Sequence, residues 1–207
     1  MKNKRTRGLI SGILSLVMVL SGVALVGVFF FGNNLDNSAT NDPNPGGFNV
    51  PELGSDQAAT AGGPEDKTLK LTVPKMNRIK DDTVPYAAGN DNEALGANAG
   101  IHLQGTGFPW DAEANVYVAG HRLGYPNTDS FLAFWDLNKL ENGDEIFVTD
   151  ADGARYTYEV FKETVVSPTD LSVTEPIPGK NIITLQTCTL PDYSNRLIVQ
   201  AEQVAVT

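Results

Sequence analysis

Residues 181–188 read Asn181-Ile182-Ile183-Thr184-Leu185-Gln186-Thr187-Cys188. The run is β-branched and apolar, as a strand buried on both faces should be. Cys188 at its end is the only cysteine among 207 residues. Thr189-Leu190-Pro191-Asp192 follows, and Pro191 takes the chain out of the sheet. What a lone thiol does depends on its compartment. Exported proteins use cysteines mainly in pairs, so an unpaired one is an intermolecular link, an inert buried thiol or a nucleophile.

The N-terminus bears on the compartment. Lys2, Lys4, Arg5 and Arg7 precede the 23 uncharged residues 9–31. As a helix this run spans about 35 Å, enough to cross a hydrocarbon core of about 30 Å with some tilt. A cleaved signal peptide is the alternative, but its apolar region runs to only about 7–15 residues. The reading is therefore a cytoplasmic basic tail (1–8) and a retained single-pass transmembrane anchor (9–31), with the rest of the chain extracellular at the cell membrane. The formal charge of −10 divides unequally, with +4 in the first 31 residues and −14 beyond them. So acidic an exported part excludes nucleic acid and anionic lipid as its partners.

Residues 32–66 hold six Asn, six Gly, four Pro and six acids, with no Lys or Arg. Only Leu35, Phe48, Val50 and Leu53 are large and apolar, so the stretch reads as a flexible extracytoplasmic linker. Residues 67–207 suit one domain, and their pattern is mainly β. Strands are expected at 69–73, 115–119, 145–149, 155–161, 181–187 and 196–201, the last extending to 204. Asp152-Gly153 marks a hairpin between the third and fourth. His102, in Ile101-His102-Leu103, lies in a further short strand. Helices are expected at 90–99, capped by Asn90 with Glu93 three positions on, and at 128–137. Short strands at this spacing suggest a closed or nearly closed barrel or a sandwich.

Two histidines limit the choice of base. His102 sits between apolar neighbours and reads as a packed residue. His121 follows strand 115–119 through Gly120 and enters a loop, where a rigid scaffold presents reactive groups. If the strands of His121 and Cys188 are neighbours, both side chains face one cleft. Free Cys titrates at about 8.5 and His at about 6.5, so an imidazole can activate the thiol and later return a proton. An attacked carbonyl needs fixed donors, for which arginine is suited. Arg196 begins the next strand after a seven-residue loop, which brings it alongside Cys188 if the two strands pair. Arg122 adjoins His121, but consecutive residues tend to point apart.

Taken together, these residues resemble the sortases, membrane-anchored cysteine transpeptidases of Gram-positive bacteria. Thr184-Leu185-Gln186-Thr187-Cys188 fits that family's Thr-Leu-x-Thr-Cys. Ala119-Gly120-His121-Arg122 and Arg196-Leu197-Ile198-Val199 complete the order His, Cys, Arg. Asn142-Gly143-Asp144-Glu145 and Val166-Ser167-Pro168-Thr169-Asp170 add support. Gly-His-Arg, Ser-Pro-Thr-Asp and Pro-Asp-Tyr-Ser are closest to class E, with class D next. The Asp-Pro-aromatic lid motif usual in pilus-building class C is not matched, since Asn44 follows Asp42-Pro43.

The resemblance implies a sortase-type eight-stranded β-barrel with one or two short helices. It implies that Cys188 attacks the Thr–Gly bond of a C-terminal Leu-Pro-x-Thr-Gly or Leu-Ala-x-Thr-Gly sorting signal on a surface protein. His121 would serve as general acid and base, and Arg196 would hold substrate and stabilise the oxyanion. The acyl group would pass to an amine of a peptidoglycan precursor. Residues 163–180 would line the groove, and Gly120, Ser167, Pro168 and Thr187 would contact the signal. No cofactor or metal site is implied; some sortases use calcium on this loop, but the acids here are too scattered to claim it.

Other readings are a pilin-polymerising sortase and a non-enzymatic adhesin or binding module with an inert Cys188. Papain-like enzymes place Cys before His, contrary to the order here.

Overall fold

Leu69-Lys70-Leu71-Thr72 alternates apolar and polar residues, and in the computed structural model Leu69 and Leu71 are buried while Lys70 is exposed. The structure describes residues 50, 51, 53 and 62–207. The basic tail, the apolar run 9–31 and most of the linker lie outside the described residues. Among the described residues no helix is long and apolar enough to cross a membrane.

Among the described residues nine strands form one sheet: β1 (Leu69–Thr72), β2 (Lys80–Val84), β3 (Tyr86–Ala87), β4 (Ile101–Leu103), β5 (Asn115–Ala119), β6 (Glu145–Thr149), β7 (Arg155–Val166), β8 (Ile182–Cys188) and β9 (Arg196–Val206). Their order is β2-β1-β6-β7-β9-β8-β5-β4-β3. The two edge strands β2 and β3 are separated in the chain by Pro85 alone. One continuous stretch thus pairs with β1 at one edge and β4 at the other, which wraps the sheet into a barrel. Counted as one bent strand, it makes the expected eight. Pro85 donates no hydrogen bond at the bend, while its carbonyl accepts from the His102 amide at 2.9 Å.

The sequence analysis missed β2, because Lys80-Asp81-Asp82-Thr83 carries no apolar alternation. Only Val84 of this strand is buried. The hairpin between β6 and β7 is as expected, with Gly153 at φ 91° where a side chain would be strained. β7 and β9 run longer than expected because they pair with each other from Tyr156↔Val206 to Val166↔Arg196.

The helices differ from expectation. Helix α1 spans Asn92–Ala97, and its cap is Asp91 rather than Asn90: the Asp91 carboxylate accepts from the Ala94 amide at 2.9 Å. Residues 128–137 form successive turns followed by a 3₁₀ turn, Leu137–Lys139. Three of their amides reach outside the local turns, Asp129 to the Ala97 carbonyl (3.3 Å), Leu132 to the Leu123 carbonyl (2.8 Å) and Phe134 to the His121 carbonyl (3.1 Å). Leu132 also has φ 56°, outside the right-handed helical region. The segment braces the His121 loop, while its own turns are closed by the amides of Phe131, Ala133, Trp135 and Leu137, each donating to the carbonyl three residues back.

Two apolar clusters occupy opposite faces of the central strands. Val116, Val118, Ile183, Leu185, Leu197 and Val199 point into the barrel. Tyr117, Ala119, Cys188 and Ile198 point outward, under Leu95, Ile101, Leu103 and Val173. Both faces of β8 are therefore covered, and all seven of its residues are buried, the polar Thr184, Gln186 and Thr187 included.

His102 is the packed residue expected. It is fully buried, its Nε2 lies 3.0 Å from the Gly107 carbonyl, and its ring meets Tyr86 and Phe108. Burial lowers its pKa from 6.5 to about 4. Between these values the unfolded chain binds the extra proton, so stability rises with pH across the window and is lost as pH falls through it. The loss amounts to about 3 kcal/mol over the whole window. Chemical denaturation at pH 6.5 and pH 4 should show His102→Phe losing less stability than the parent by about that amount.

Candidate active site

The outward face of three neighbouring strands carries the candidate chemistry. β5 pairs with β8 in parallel, Asn115 opposite Ile182 and Ala119 opposite Gln186. The ladder continues past the end of β5: the Gly120 amide donates to the Gln186 carbonyl at 3.0 Å. Two residues beyond the last strand pair, the same register sets His121 opposite Cys188. β8 pairs with β9 antiparallel, and Cys188 is directly opposite Arg196. His121, Cys188 and Arg196 thus share one row, with strands about 4.8 Å apart. All three are buried: His121 is 5%, Cys188 1% and Arg196 2% exposed.

Each member of the row is held by its own local structure. The His121 carbonyl accepts from Phe134, and its ring meets Tyr125 edge-on at 5.5 Å. Gly120 leaves no room for a side chain, since a Cβ there would lie 2.7 Å from the Ala99 carbonyl oxygen and 2.8 Å from the Phe134 ring. Arg196 Nη1 donates to the carbonyls of Tyr193 and Asn195, both at 3.1 Å. The Cys188–Arg196 loop is closed by Thr189 and Asn195, whose backbones bond at 3.0 Å. A guanidinium presents five N–H donors in a planar fork, which suits it to a carbonyl oxygen that gains charge.

Thr187 does not face this row. It is opposite Leu197, on the barrel side, and is fully buried. Its hydroxyl donates to the Gly120 carbonyl at 2.8 Å. Side chains alternate along a strand, so the neighbour of an outward Cys188 points inward. Thr187 and Gly120 therefore join β8 to the start of the His121 loop, and neither offers a side chain to a substrate.

Ser167 and Pro168 leave the sheet immediately after Val166, the partner of Arg196 on β7. Ser167 is exposed, with its hydroxyl 3.0 Å from that of Thr169. The following 3₁₀ turn, Leu171–Thr174, is capped by Asp170 and buries Val173 against the outward face. Asn115 fastens this loop to β5 by donating to the carbonyls of Val173 (2.9 Å) and Glu175 (3.0 Å).

The sequence analysis missed Tyr117 and Gln186, which are hydrogen-bonded to each other beneath the row. Both are legible in retrospect as even-numbered steps from His121 and Cys188. It also passed over Arg122. The Arg122 guanidinium is partly buried, bonded to Asn138 Oδ1 and 5.9 Å from the Trp135 ring centre. Burial lowers its pKa, while Asp136, Glu163 and the charge of Cys188 oppose that shift. Tyr193 likewise has its pKa raised by burial and by Cys188. A cation close enough to feel the thiolate favours its formation. Among the described residues no three His, Cys, Asp or Glu side chains gather as metal ligands do.

The family model of the sortase domain matches residues 71–204. The chain is 26% identical over 143 residues to sortase A of Streptococcus agalactiae, covering 68% of this chain and 51% of that protein. It is 34% identical over 153 residues to sortase SrtE1 of Streptomyces coelicolor, covering 65% and 39% respectively. The match thus spans about half or less of these curated relatives. The structure of the Pilus Island 1 sortase C2 of Group B Streptococcus superposes with a TM-score of 0.56 at 31% identity, covering 66% of this chain and 73% of that one.

Gly120→Ala should leave the barrel folded but shift the backbone that carries His121. The Cys188 alkylation rate near pH 7 is expected to fall about tenfold, since displacements of about 1 Å cost up to 10²-fold. Thr187→Val should lower stability by about 1–3 kcal/mol by stranding the Gly120 carbonyl, as read by denaturant unfolding.

Proposed function

Because the chain belongs to the sortase family, we propose that it is a cysteine transpeptidase, anchored in the membrane by residues 9–31. Its substrates are surface proteins that end in a Leu-Pro-x-Thr-Gly or Leu-Ala-x-Thr-Gly sorting signal. The observation that carries this reading is the single row formed by His121, Cys188 and Arg196 on three paired strands.

The chemistry follows from those positions. The Cys188 thiolate attacks the threonine carbonyl carbon, and the carbonyl electrons move onto oxygen. The Arg196 guanidinium stabilises that oxyanion. As the C–N bond breaks, protonated His121 gives its proton to the departing glycine amine. The acyl group is then a thioester on Cys188. An amine of a peptidoglycan precursor attacks this thioester, His121 takes the proton, and Cys188 leaves as thiolate. Arg122 adds positive potential near the thiolate throughout. An acceptor embedded in the membrane and an anchored enzyme are thereby held in two dimensions. The Gly-His-Arg and Pro-Asp-Tyr-Ser stretches, with the likeness to sortase SrtE1, support class E ahead of class D.

A second reading, pilin polymerisation, draws on the likeness to the pilus-island sortase C2. It differs only in the acceptor, a lysine amine of another protein subunit.

Full-length protein incubated with fluorogenic Leu-Pro-x-Thr-Gly and Leu-Ala-x-Thr-Gly peptides should cut between Thr and Gly. Mass spectrometry should find the acyl group on Cys188. Cys188→Ala should abolish both without unfolding the protein. Arg196→Lys should lower kcat/KM by about 10²-fold, the scale for one lost oxyanion donor. No cleavage of either peptide and no adduct on Cys188 would refute the reading. Near-normal turnover of Arg196→Lys would remove the role given to that residue. A product joined to a lysine-bearing subunit, in place of a precursor amine, would favour the second reading.

A further inference from the structure

Gln186 lies two residues before Cys188 and faces the same side of the sheet, opposite Ala119 on β5 and Ile198 on β9. Both of those neighbours belong to the apolar cluster that contains Cys188. Gln186 is 2% exposed. Its Oε1 accepts from the Tyr117 hydroxyl, but its Nε2 is buried with no hydrogen-bond partner among the described residues. Farther along the same face Thr184 and Gln200 satisfy each other, the Gln200 Nε2 donating to the Thr184 hydroxyl at 3.3 Å.

Tyr117 fixes the way this amide points. It is fully buried, and burial raises its pKa above the ordinary tyrosine value against the opposing charge of Arg196. The hydroxyl therefore keeps its proton and donates it to Oε1. With Oε1 held, the two N–H groups of Nε2 are left without an acceptor. A buried donor that pairs with nothing opposes folding, so an aliphatic residue would serve packing better at this position. A ligand that brings an acceptor to Nε2 accounts for the glutamine.

We infer that Gln186 sets the register of the sorting signal: its Nε2 donates to the backbone carbonyl of the residue two before the threonine. The inference rests on the proposed function for the identity of the ligand. Two residues of β8 cover about 6.6 Å, and two residues of an extended peptide laid along it cover the same distance. A threonine carbonyl at Cys188 thus sets the proline or alanine carbonyl over Gln186. The direction follows from polarity. Past Cys188 the chain leaves the sheet, whereas the face before it is apolar, with Ala119, Ile198 and Ile101, the partner of Ala119 on β4. The apolar residues of the signal likewise precede its threonine. Cys188 is itself 1% exposed, so whatever admits a carbonyl to its sulfur admits one to Nε2. A contact to backbone does not choose a side chain. It fixes which peptide bond stops at the nucleophile.

The test uses full-length protein in detergent micelles, a Leu-Ala-x-Thr-Gly peptide, and an analogue whose Ala–x amide is replaced by an ester. The ester leaves the alanine carbonyl as a weaker acceptor. Affinity is read by fluorescence anisotropy in the Cys188→Ala background, and KM and kcat with Cys188 present. Gln186→Met and Gln186→Leu both remove the donor. Each should weaken binding of the amide peptide about tenfold, the scale of one hydrogen bond, and raise KM alike with kcat little changed. The ester should bind more weakly than the amide when Gln186 is present and equally well in both variants. The urea midpoint of Gln186→Met should match or exceed that of the parent, because a buried unpaired donor is gone. Affinity and KM within twofold of the parent in both variants overturn the inference, as does an ester penalty of equal size with and without Gln186. A lowered urea midpoint with unchanged affinity also overturns it, and makes Gln186 a structural residue. Binding that depends on Gln186 without turnover of any signal peptide would leave the register contact standing and refute the transpeptidase reading. Turnover with a KM indifferent to Gln186 would refute the register contact alone.

Discussion

The parallel pairing of β5 with β8 is the constraint on which the site depends. Parallel neighbours cannot be joined by a tight turn, so a long crossover must separate them in sequence. Here that crossover is most of residues 120–181, and it includes β6, β7 and the loop that carries Val173. The pairing places the end of β5 beside the end of β8, and the hydrogen bonds of Gly120 with Gln186 and Thr187 extend it just far enough to include His121. A register slip of one residue would turn Cys188 into the barrel and Thr187 outward. The buried residues on both faces of β8 oppose such a slip, because it would bring Thr184 and Gln186 into the apolar interior.

Closure of the barrel and support of the site are linked through the segments that the strand pattern leaves over. The stretch through Pro85 joins both sheet edges, so neither is left as a template for another chain. Residues 128–137 give the amides of Leu132 and Phe134 to the His121 loop and that of Asp129 to Ala97. Asn115 pins the Val173 loop to β5. These irregular segments have little regular structure because their hydrogen-bonding groups serve neighbours in space. Buried backbone groups must be satisfied somewhere, and here the partners are the residues that position the base and roof the groove.

The legible part of the fold was the part with a local cause. Alternation located β1, the Asp-Gly pair located the β6–β7 hairpin, and the apolar run at 181–188 located β8. Charged β2 was hidden, because its place at a sheet edge asks for no apolar face. The helix expected at 128–137 failed for a similar reason: its propensity was overridden by tertiary hydrogen bonds. The same holds for the site. Cys188, His121 and Arg196 could be selected from residue type, strand-end position and order. Tyr117 and Gln186 carried no comparable signal, and Arg122, set aside because it adjoins His121, is partly buried against Asn138 and Trp135.

The sequence alone determined the chemistry available to this protein: one thiol, two imidazoles of which only one ends a strand, and an arginine at the start of the next strand. It also determined the family, since ordered short motifs survive translation from structure to text. Tertiary structure decided which of these groups meet. The register of two strand pairs put three residues in one row, turned Thr187 away from it, and brought Val50 and Pro51 from a stretch without secondary-structure signal onto Gly89 beside the thiol's own apolar cluster. Contacts between residues so far apart in the chain depend on complementary surfaces that form only once the strands are paired, and no local pattern of residues encodes them.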